Sequence, residues 1–409
     1  MLSASDRMRL LREVTRAGSC RHPIRLIGQS TNLATGEWIE RELTIACKDR
    51  RARVCPACSE RYETDAWIIV AAGVNGGKGV PDTVVNAPRL FVTVTAPSFG
   101  SVHTQGLHGE CVRSRTRSPR LCEHGVPTRC RSRHDDGDPV LGHPVCPLCF
   151  DAEGAILWNA HASRLWSEMI RGVRQNLVNA LGSTRRRAAG SIRLEYVKVV
   201  ELQRRGLIHF HALIRLDAPE LVRTPSGEVV GRAVSRAIRS TTIADETGEY
   251  RFGSVLDVRD LGIELADVKG AATYLAKYVT KTAGGTLELA RRFPHRRTID
   301  SAVSDEHLRR LALVAWDLGF ERHAHTLGYR GQFLTKSRGY STTFRELRAA
   351  RQAYWKPVPD SDPHDARYRY YGRGYDDPRA SELADVMAHL DRERRRDERR
   401  AAKEGVDNH

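Results

Sequence analysis

The sequence predicts an α+β protein built around an antiparallel sheet, and three features of the chain support this prediction. Residues 192–202 and 207–216 are strand-like runs joined by residues 204–206, a spacing typical of a β-hairpin. Residues 155–181 carry apolar side chains at helical intervals, which indicates a long helix with a buried face. The nine cysteines fall into two groups, which we expect to bind metal and to stabilise segments outside the sheet.

Further elements follow from local patterns along the chain. Arg89–Thr95 is rich in β-branched and aromatic residues and ends before Pro97, as expected for a strand. Residues 104–150 are rich in Arg, Gly and Pro, which indicates a long insertion after that strand. Additional helices are expected at residues 233–240, 268–282, 305–320 and 345–355.

The charge of the chain favours a polyanionic partner. Its 409 residues include 66 Lys and Arg against 50 Asp and Glu, which gives a formal net charge of +16. Nucleic acid is the commonest partner of such a chain, and a merely basic enzyme is the alternative. The longest apolar runs, such as residues 66–74, fall far short of the roughly 20 residues of a membrane span. The N-terminus has no signal-peptide pattern, so we expect a cytoplasmic protein with no membrane partner.

The cysteines are better explained as metal ligands than as disulfides, because their number is odd and the chain is expected to be cytoplasmic. Each group ends in a Cys-Pro-x-Cys pair, which presents two thiolates to one tetrahedral Zn²⁺. The first group supplies one complete ligand set for a structural zinc ion: Cys20, Cys47, Cys55 and Cys58. The alternative is that some of these cysteines are small buried apolar residues.

The second group holds five cysteines, so one of them must be left over. We assign four of them to a second structural zinc ion: Cys122, Cys130, Cys146 and Cys149. Cys111 is left out, and Cys111 and His124 stay open as alternatives for the fourth ligand. His134 lies in the same segment. The many arginines between these cysteines suit contact with phosphate, or they form a solvated basic loop.

The second strand of the hairpin carries a different kind of metal donor. Strand alternation places His209 and His211 on one face, opposite the apolar residues that pack on helices. With a three-residue turn at 204–206, Glu201 lies directly across from His209 on the same face. This arrangement predicts a His-His-Glu site for Mg²⁺ or Mn²⁺ with positions open for substrate oxygens. A two- or four-residue turn would place Glu201 on the wrong face, as an ordinary strand residue.

A helical segment at residues 271–281 carries two tyrosines. Helical spacing places four of its side chains on one face: Tyr274, Lys277, Tyr278 and Lys281. A phenolate is a competent nucleophile toward a phosphodiester, and a neighbouring Lys favours that charged form. Attack would leave a 5′-phosphotyrosyl link and a free 3′-OH. The alternative is an amphipathic surface helix whose long side chains cover a core.

Three segments in this order resemble the motifs of a known family. They are residues 91–100 (Phe-Val-Thr-Val-Thr-Ala-Pro-Ser-Phe-Gly), His209-Phe-His211 and residues 274–281 (Tyr-Leu-Ala-Lys-Tyr-Val-Thr-Lys). The chain resembles the rolling-circle replication initiators with a His-hydrophobic-His pair, most of all those of actinobacterial plasmids and integrative elements. The paired tyrosines are also similar to the gene A protein of isometric single-stranded DNA phages. The likeness extends from about residue 20 to about residue 355.

The resemblance implies a site- and strand-specific nickase and ligase with a ferredoxin-like antiparallel sheet and helices on one face. Carried over by position, the metal pair is His209 and His211, with Glu201 as third ligand. The two nucleophiles are Tyr274 and Tyr278, and Lys277 and Lys281 would steady the phosphate or the phenolate. The implied partners are single-stranded or supercoiled origin DNA, a host helicase and the replication machinery. The chain itself has no Walker phosphate loop.

The zinc-rich segments interrupt the family core between the first and second motifs, so its borders do not transfer cleanly, and the predicted domains follow from the cysteine groups and the motif order. We expect a zinc-binding N-terminal region at residues 1–80 and an endonuclease domain at residues 81–355. The endonuclease domain contains the zinc-binding, arginine-rich insertion at residues 104–150, and residues 356–409 form a charged, flexible tail. Two other functions stay open: a two-tyrosine transposase of the same superfamily, and a zinc-stabilised DNA-binding regulator without catalysis.

Overall fold

The computed structural model describes most of the chain. The described residues are 3–104, 120–130, 132–135, 137–182, 192–218, 224–262, 270–275, 289, 291–355 and 364–404. Their helices are α1 (Ala4–Arg16), α2 (Pro56–Asn75), α3 (Ala152–Ala180), α4 (Gly227–Ser240), α5 (Arg297–Ala302), α6 (Glu306–Asp317), α7 (Phe344–Trp355) and α8 (Pro378–Glu404). Their strands are β1 (Ile24–Asn32), β2 (Trp38–Ile45), β3 (Arg89–Thr95), β4 (Arg193–Leu202), β5 (Ile208–Asp217), β6 (Thr242–Asp245), β7 (Gly248–Arg251), β8 (Leu256–Asp260), β9 (Leu334–Lys336) and β10 (His364–Arg373).

The chain divides into two compact units that differ from the predicted domains. One unit combines residues 1–68 with residues 343–409, and the other comprises residues 69–342. The predicted borders at residues 80 and 355 therefore do not coincide with the borders of these units. The N-terminal region is completed by C-terminal segments, a non-local pairing that local sequence patterns do not reveal.

The unit formed by the two ends of the chain contains a three-stranded antiparallel sheet in the order β10-β1-β2. The segment that was expected to be a flexible tail thus contributes strand β10 and the long helix α8. The small residues Ala380 and Ala384 lie one helical turn apart on α8 and pack against Leu10 and Val14 of α1. Because this apolar stripe is narrow and is surrounded by charged residues, composition alone indicated a solvated or flexible segment.

The central unit contains a five-stranded sheet in the order β8-β3-β5-β4-β9, and each neighbouring pair is antiparallel. Without the short hairpin β6–β7 and the edge strand β9, the chain order is strand, helix, strand, strand, helix, strand. The prediction of an α+β protein with an antiparallel sheet is confirmed. Strands β3 and β5 are central, so side chains on them are supported from both sides.

One face of this sheet packs against helices. Strand β5 alternates, and Phe210 and Ile214 belong to the same buried cluster as Trp166 of α3 and Val234 of α4. Burying a large apolar side chain contributes about 1.5–3 kcal/mol, so this layer supplies much of the stability of the unit. The alternation leaves the opposite face of β5 for polar groups.

Part of the opposite face is closed by the end of α2. The Arg215 guanidinium is buried and donates to the carbonyl oxygen of Gly73, and Arg89 Nη1 donates to Val74 O at 3.0 Å. Tyr340 Oη donates to Val70 O at 3.0 Å and lies beside Arg215. These contacts cover the end of the face where Arg215 lies, and they do not extend to the other end, where the histidines lie.

The turn between β4 and β5 is held by the side chain of Asn159 from α3. Asn159 is fully buried, and its Nδ2 donates to Gly206 O at 2.8 Å and to Leu327 O at 2.9 Å. Its Oδ1 accepts from Ile208 N at 3.0 Å. Gly206 has a φ of +80°, and a Cβ there would collide with Leu311. The turn therefore requires glycine and is attached to the helical layer.

Among the described residues, no helix combines the length and the apolar character that crossing a membrane requires.

We expect Asn159→Leu to lower the free energy of unfolding by about 2–4 kcal/mol. The change removes three buried hydrogen bonds of about 1 kcal/mol each and leaves their backbone partners without replacements. Denaturant unfolding of the two proteins measures the difference. Asn176→Leu is the matched control on the same helix, because Asn176 makes a half-buried hydrogen bond to Ala233 O. Equal losses in the two variants would contradict a special role for Asn159.

The burial of Lys198 on β4 makes the stability of the folded chain depend on pH. Lys198 is 4% exposed, its Nζ lies 4.3 Å from the Phe210 ring centroid, and burial lowers its pKa to about 7. Between about pH 7 and the ordinary lysine pKa of 10.5, the unfolded chain binds more protons here than the folded chain. This site therefore favours folding less as the pH falls from 10.5 to 7.

We expect Lys198→Met to raise the free energy of unfolding by about 1–4 kcal/mol at pH 7, because an apolar side chain replaces a buried amine. The gain should shrink as the pH rises toward 10.5, because an increasing share of the lysine is then neutral in the unfolded chain as well. Unfolding curves of both proteins at pH 7 and pH 10 measure the two gains. A gain of equal size at both pH values would mean that titration of the amine is not its cause.

Candidate active site and metal centres

The hairpin brings the predicted His-His-Glu group together. Glu201 pairs with His209 across the strands, and Gln203 N donates to Leu207 O at 2.9 Å around a three-residue turn. The predicted register is therefore confirmed. Glu201 Oε2 lies 3.2 Å from His211 Nε2 and 3.7 Å from His209 Nδ1. One ligand atom from each of the three residues lies within 4.8 Å of the others, close enough for a shared metal ion.

Two neighbours orient the histidine rings. Thr93 on β3 pairs with His211, and its Oγ1 lies 3.2 Å from His211 Nδ1. Gln203 Nε2 lies 3.2 Å from His209 Nδ1. The sequence did not reveal Thr93, because the pairing of β3 with β5 is non-local. Its only signal was its place within the segment at residues 91–100 that resembles the first family motif.

The donor set fits a divalent metal ion. Burial raises the pKa of Glu201, but the neighbouring imidazoles of His209 and His211 outweigh that effect and lower it to about 2. The pKa of His209 is lowered, mainly by burial. A carboxylate beside a neutral imidazole is the state that metal ligands require. His209 Nε2 is buried without a hydrogen-bond partner within the described chain.

Tyr274 lies directly against this group. Residues 270–275 are helical, with Ala272 and Leu275 buried as predicted and Tyr274 40% exposed. Its ring meets His211 edge-on with centroids 5.4 Å apart, and it meets Phe91 edge-on at 5.6 Å. The first tyrosine therefore presents its ring to a predicted metal ligand while remaining accessible from solvent.

Three of the predicted site residues cannot be placed beside Tyr274, because Lys277, Tyr278 and Lys281 lie outside the described residues. The structure instead supplies a cation that sequence reasoning missed. Arg259 on β8 pairs with Phe91, and its Nε lies 2.7 Å from Asp257 Oδ2. Asp257 raises the pKa of Arg259, and Tyr274 adds a smaller contribution in the same direction. No local pattern marks Arg259, because strand pairing brings it to the site.

The first cysteine group forms the predicted cluster. The Sγ atoms of Cys47 and Cys58 are 3.7 Å apart, and those of Cys20 and Cys55 are 3.8 Å apart. Four thiolates at about 2.3 Å from a tetrahedral zinc ion lie about 3.8 Å from one another, whereas a disulfide bond is about 2.05 Å long. Backbone N–H groups also donate to the sulfurs, as Cys47 N does to Cys20 Sγ at 3.2 Å. This group indicates a structural zinc site.

The second cluster uses a different fourth ligand from the one assigned above. It consists of Cys122, His124, Cys146 and Cys149. His124 Nδ1 lies 3.3 Å from Cys149 Sγ and 3.7 Å from Cys146 Sγ. A Cys₃His set is a common structural zinc site, and His124 was the alternative that the sequence left open.

The assignment of Cys130 to that cluster is corrected. Cys130 lies instead with His103 and His134, and its Sγ is 3.4 Å from His134 Nε2. Sequence spacing gave the wrong ligand because the chain turns back on itself at residues 122–127 and so brings His124 beside Cys122. The spare cysteine of the sequence analysis, Cys111, lies outside the described residues.

Comparisons with known proteins show the family of the chain. The family model described as "Replication initiator protein, pSAM2" matches residues 6–389. A replication initiator protein of Streptomyces ambofaciens is 34% identical over 442 residues, which cover 94% of this chain and 91% of that protein. No solved structure gives a significant match. Since the family model spans nearly the whole chain, including every cluster described above, the chain belongs to the pSAM2 replication initiator family.

Proposed function

We propose that the chain starts rolling-circle replication of a plasmid or integrative element by nicking and rejoining its origin DNA. The reaction uses a divalent metal ion and a tyrosine nucleophile, and it passes through a 5′-phosphotyrosine intermediate. The observation that carries the proposal is the convergence of Glu201, His209 and His211 beside the accessible Tyr274. Family membership supports the role in replication initiation.

The sheet supports a His-hydrophobic-His endonuclease core. Strands β3, β4, β5 and β8, taken as first to fourth, lie in the order fourth, first, third, second. That order, with a helix after the first strand and another after the third, is the ferredoxin-like arrangement. It places the histidine strand β5 and the Thr93 strand β3 side by side at the centre.

The metal ligands in this proposal are Glu201, His209 and His211, with Mg²⁺ or Mn²⁺ as the ion. The chemistry that such an ion supplies is polarisation of the scissile phosphate and compensation of its developing charge. The chain's own groups prepare the site: Thr93 holds the ring of His211, and Gln203 holds that of His209.

Tyr274 performs the chemical step in this proposal. Its hydroxyl oxygen attacks the phosphorus, the bond from phosphorus to the 3′-oxygen breaks, and the DNA 5′-phosphate becomes joined to the tyrosine. The phenol proton passes to solvent, and the leaving 3′-oxygen takes up a proton. Arg259 is a cation close enough to favour the phenolate. Tyr278 is the proposed second nucleophile, and attack of a 3′-OH on the first link reseals the strand.

Charged groups on α4 support contact with origin DNA. Arg232, Arg236 and Arg239 line one groove together with Asp260. Guanidinium groups on one face of a helix suit contact with phosphates, which position DNA without reading its sequence. A host helicase and the replication machinery are the other proposed partners, and the cytoplasm is the proposed compartment.

Two alternative functions, a two-tyrosine transposase and a regulator without catalysis, are less well supported, each for a different reason. A two-tyrosine transposase shares the chemistry, but the family match names a replication initiator. A regulator without catalysis would have no use for an exposed tyrosine against a His-His-Glu group. It would bind origin DNA without forming a covalent adduct.

We expect the double variant Tyr274→Phe with Tyr278→Phe to lose covalent adduct formation by at least about a hundredfold, because both nucleophiles are removed. The assay incubates the full chain with single-stranded origin DNA and Mn²⁺ and resolves the protein–DNA adduct on a denaturing gel. Tyr370→Phe, the same change at an exposed tyrosine of β10, should leave the yield unchanged. An adduct at the wild-type yield in the double variant would refute tyrosine chemistry.

We expect Thr93→Val to raise the Mn²⁺ concentration for half-maximal nicking by about 10-fold or more, because the group that orients His211 is lost. Calorimetric titration with Mn²⁺ should show the same change in affinity without DNA. Thr95→Val is the matched control two residues along β3, since Thr95 Oγ1 donates to Val255 O and not to a histidine. Equal shifts in both variants would remove Thr93 from its positioning role.

A further inference from the structure

We infer that His103, Cys130 and His134 form a third metal site, which holds Zn²⁺ and fixes the loops after β3 to the turn of the histidine hairpin. The site is separate from the two cysteine clusters and from the Glu201–His209–His211 group. His103 precedes Cys130 by 27 positions in the sequence, and His134 follows Cys130 by four.

Backbone pairing holds His103 against the cysteine-rich insertion. His103 N donates to His143 O at 2.9 Å, and Gly142 N donates to His103 O at 2.8 Å. This pairing lays residues 102–104 beside residues 142–144. His134 then lies edge-on to His103 with ring centroids 5.1 Å apart. These main-chain contacts position His103, and a contact of Nδ1 with Asp138 Oδ2 at 2.7 Å positions His134.

The distances between donor atoms match a tetrahedral ion. His103 Nδ1 lies 3.3 Å from His134 Nε2, and Cys130 Sγ lies 3.4 Å from the same nitrogen. Zinc bonds of about 2.0–2.1 Å to nitrogen and about 2.3 Å to sulfur place such pairs about 3.3–3.6 Å apart. The same range separates His124 Nδ1 from Cys149 Sγ in the second cluster.

One nitrogen of His134 is shared by both other members of the group. His134 Nδ1 lies 2.7 Å from Asp138 Oδ2, and a carboxylate only accepts, so Nδ1 carries the proton. His134 Nε2 is therefore the ring atom that faces both His103 Nδ1 and Cys130 Sγ. In the neutral ring this nitrogen carries a lone pair, and an ion between the three atoms would bind all of them.

The surroundings are those of a metal ligand group. A carboxylate on the far nitrogen of a ligating histidine fixes its tautomer and strengthens it as a donor, which is the position of Asp138. Ser132 N donates to Cys130 Sγ at 3.3 Å. His134 is 5% exposed and Cys130 is 8% exposed. Two imidazoles and one thiolate favour Zn²⁺ over Mg²⁺ or Ca²⁺.

The site has a mechanical connection to the histidine hairpin. Arg204 in the turn donates from Nη1 to Asp138 O at 3.0 Å. Gly142 packs so closely on Arg204 that a Cβ there would collide with it. Arg205 Nε donates to Gln203 Oε1 at 2.8 Å, and Gln203 contacts His209. A metal ion at His134 thus stabilises the loop that rests on this turn. The value of this connection to nicking rests on the proposed function.

The first test counts zinc in the purified full chain by elemental analysis. We expect the double variant Cys130→Ala with His134→Ala to contain one zinc ion fewer per chain than the wild type. Trypsin should also cleave it faster after Arg129 or Arg133. His143→Gln is the matched control, because His143 belongs to the same loop and contacts Asp305 at 2.9 Å as His134 contacts Asp138. It should keep the wild-type zinc count. Equal zinc counts in the double variant and the wild type would overturn the site.

A second test uses the unaltered chain and so does not depend on the folding of a variant. With ¹¹³Cd²⁺ in place of zinc, we expect separate resonances for ions bound by four, three and one thiolates. A spectrum that shows resonances for the four- and three-thiolate sites but none for a one-thiolate site would overturn the proposal. Neither test involves DNA, so a failure of the nicking reaction would leave the metal counts, and with them this inference, unaffected.

Discussion

The register of the β4–β5 hairpin is the constraint on which the candidate site depends. A slip of one residue would turn Glu201 to the helix-covered face and leave two histidines without a carboxylate. The positive φ of Gly206 sets the turn, and Asn159 ties the turn and Ile208 to α3. The contacts that attach the sheet to its helices therefore also align the proposed metal ligands.

One face of β5 contributes to the stability of the core, and the other face carries the proposed metal ligands. Phe210 and Ile214 pack into the helical layer, while His209 and His211 face the other way. Polar groups on that second face are tolerated because each meets a specific partner: Arg215 meets backbone carbonyls, and His211 meets Thr93 and Glu201. Thus the period of two along a single strand supports a packed core and a polar site at once.

How much could be predicted from the sequence depended on how local the information was. The turn at residues 204–206 encodes the Glu201–His209 pairing within a few residues, and helical spacing identified the buried Ala272 and Leu275 around Tyr274. Thr93 and Arg259 reach the site only through the pairing of β3 with β5 and β8, which no local pattern specifies. The same limit applies to β10, which pairs with β1 from the far end of the chain. In the cysteine-rich insertion, spacing identified the ligand types but not their grouping.

The clusters of metal-ligand side chains offer a way for a polar insertion to fold beside the five-stranded sheet. Residues 120–149 contain few large apolar side chains, so burial offers little to offset the loss of chain entropy on ordering them. A metal ion bound by the clustered cysteines and histidines would supply that free energy through a few short bonds instead. Both the second cluster and the inferred third site lie in this segment, and its Asp138 and Gly142 contact Arg204 at the hairpin turn. The insertion and helix α3 thus contact the same turn from different elements, through Asp138 and Asn159, and Gln203 beside that turn contacts His209.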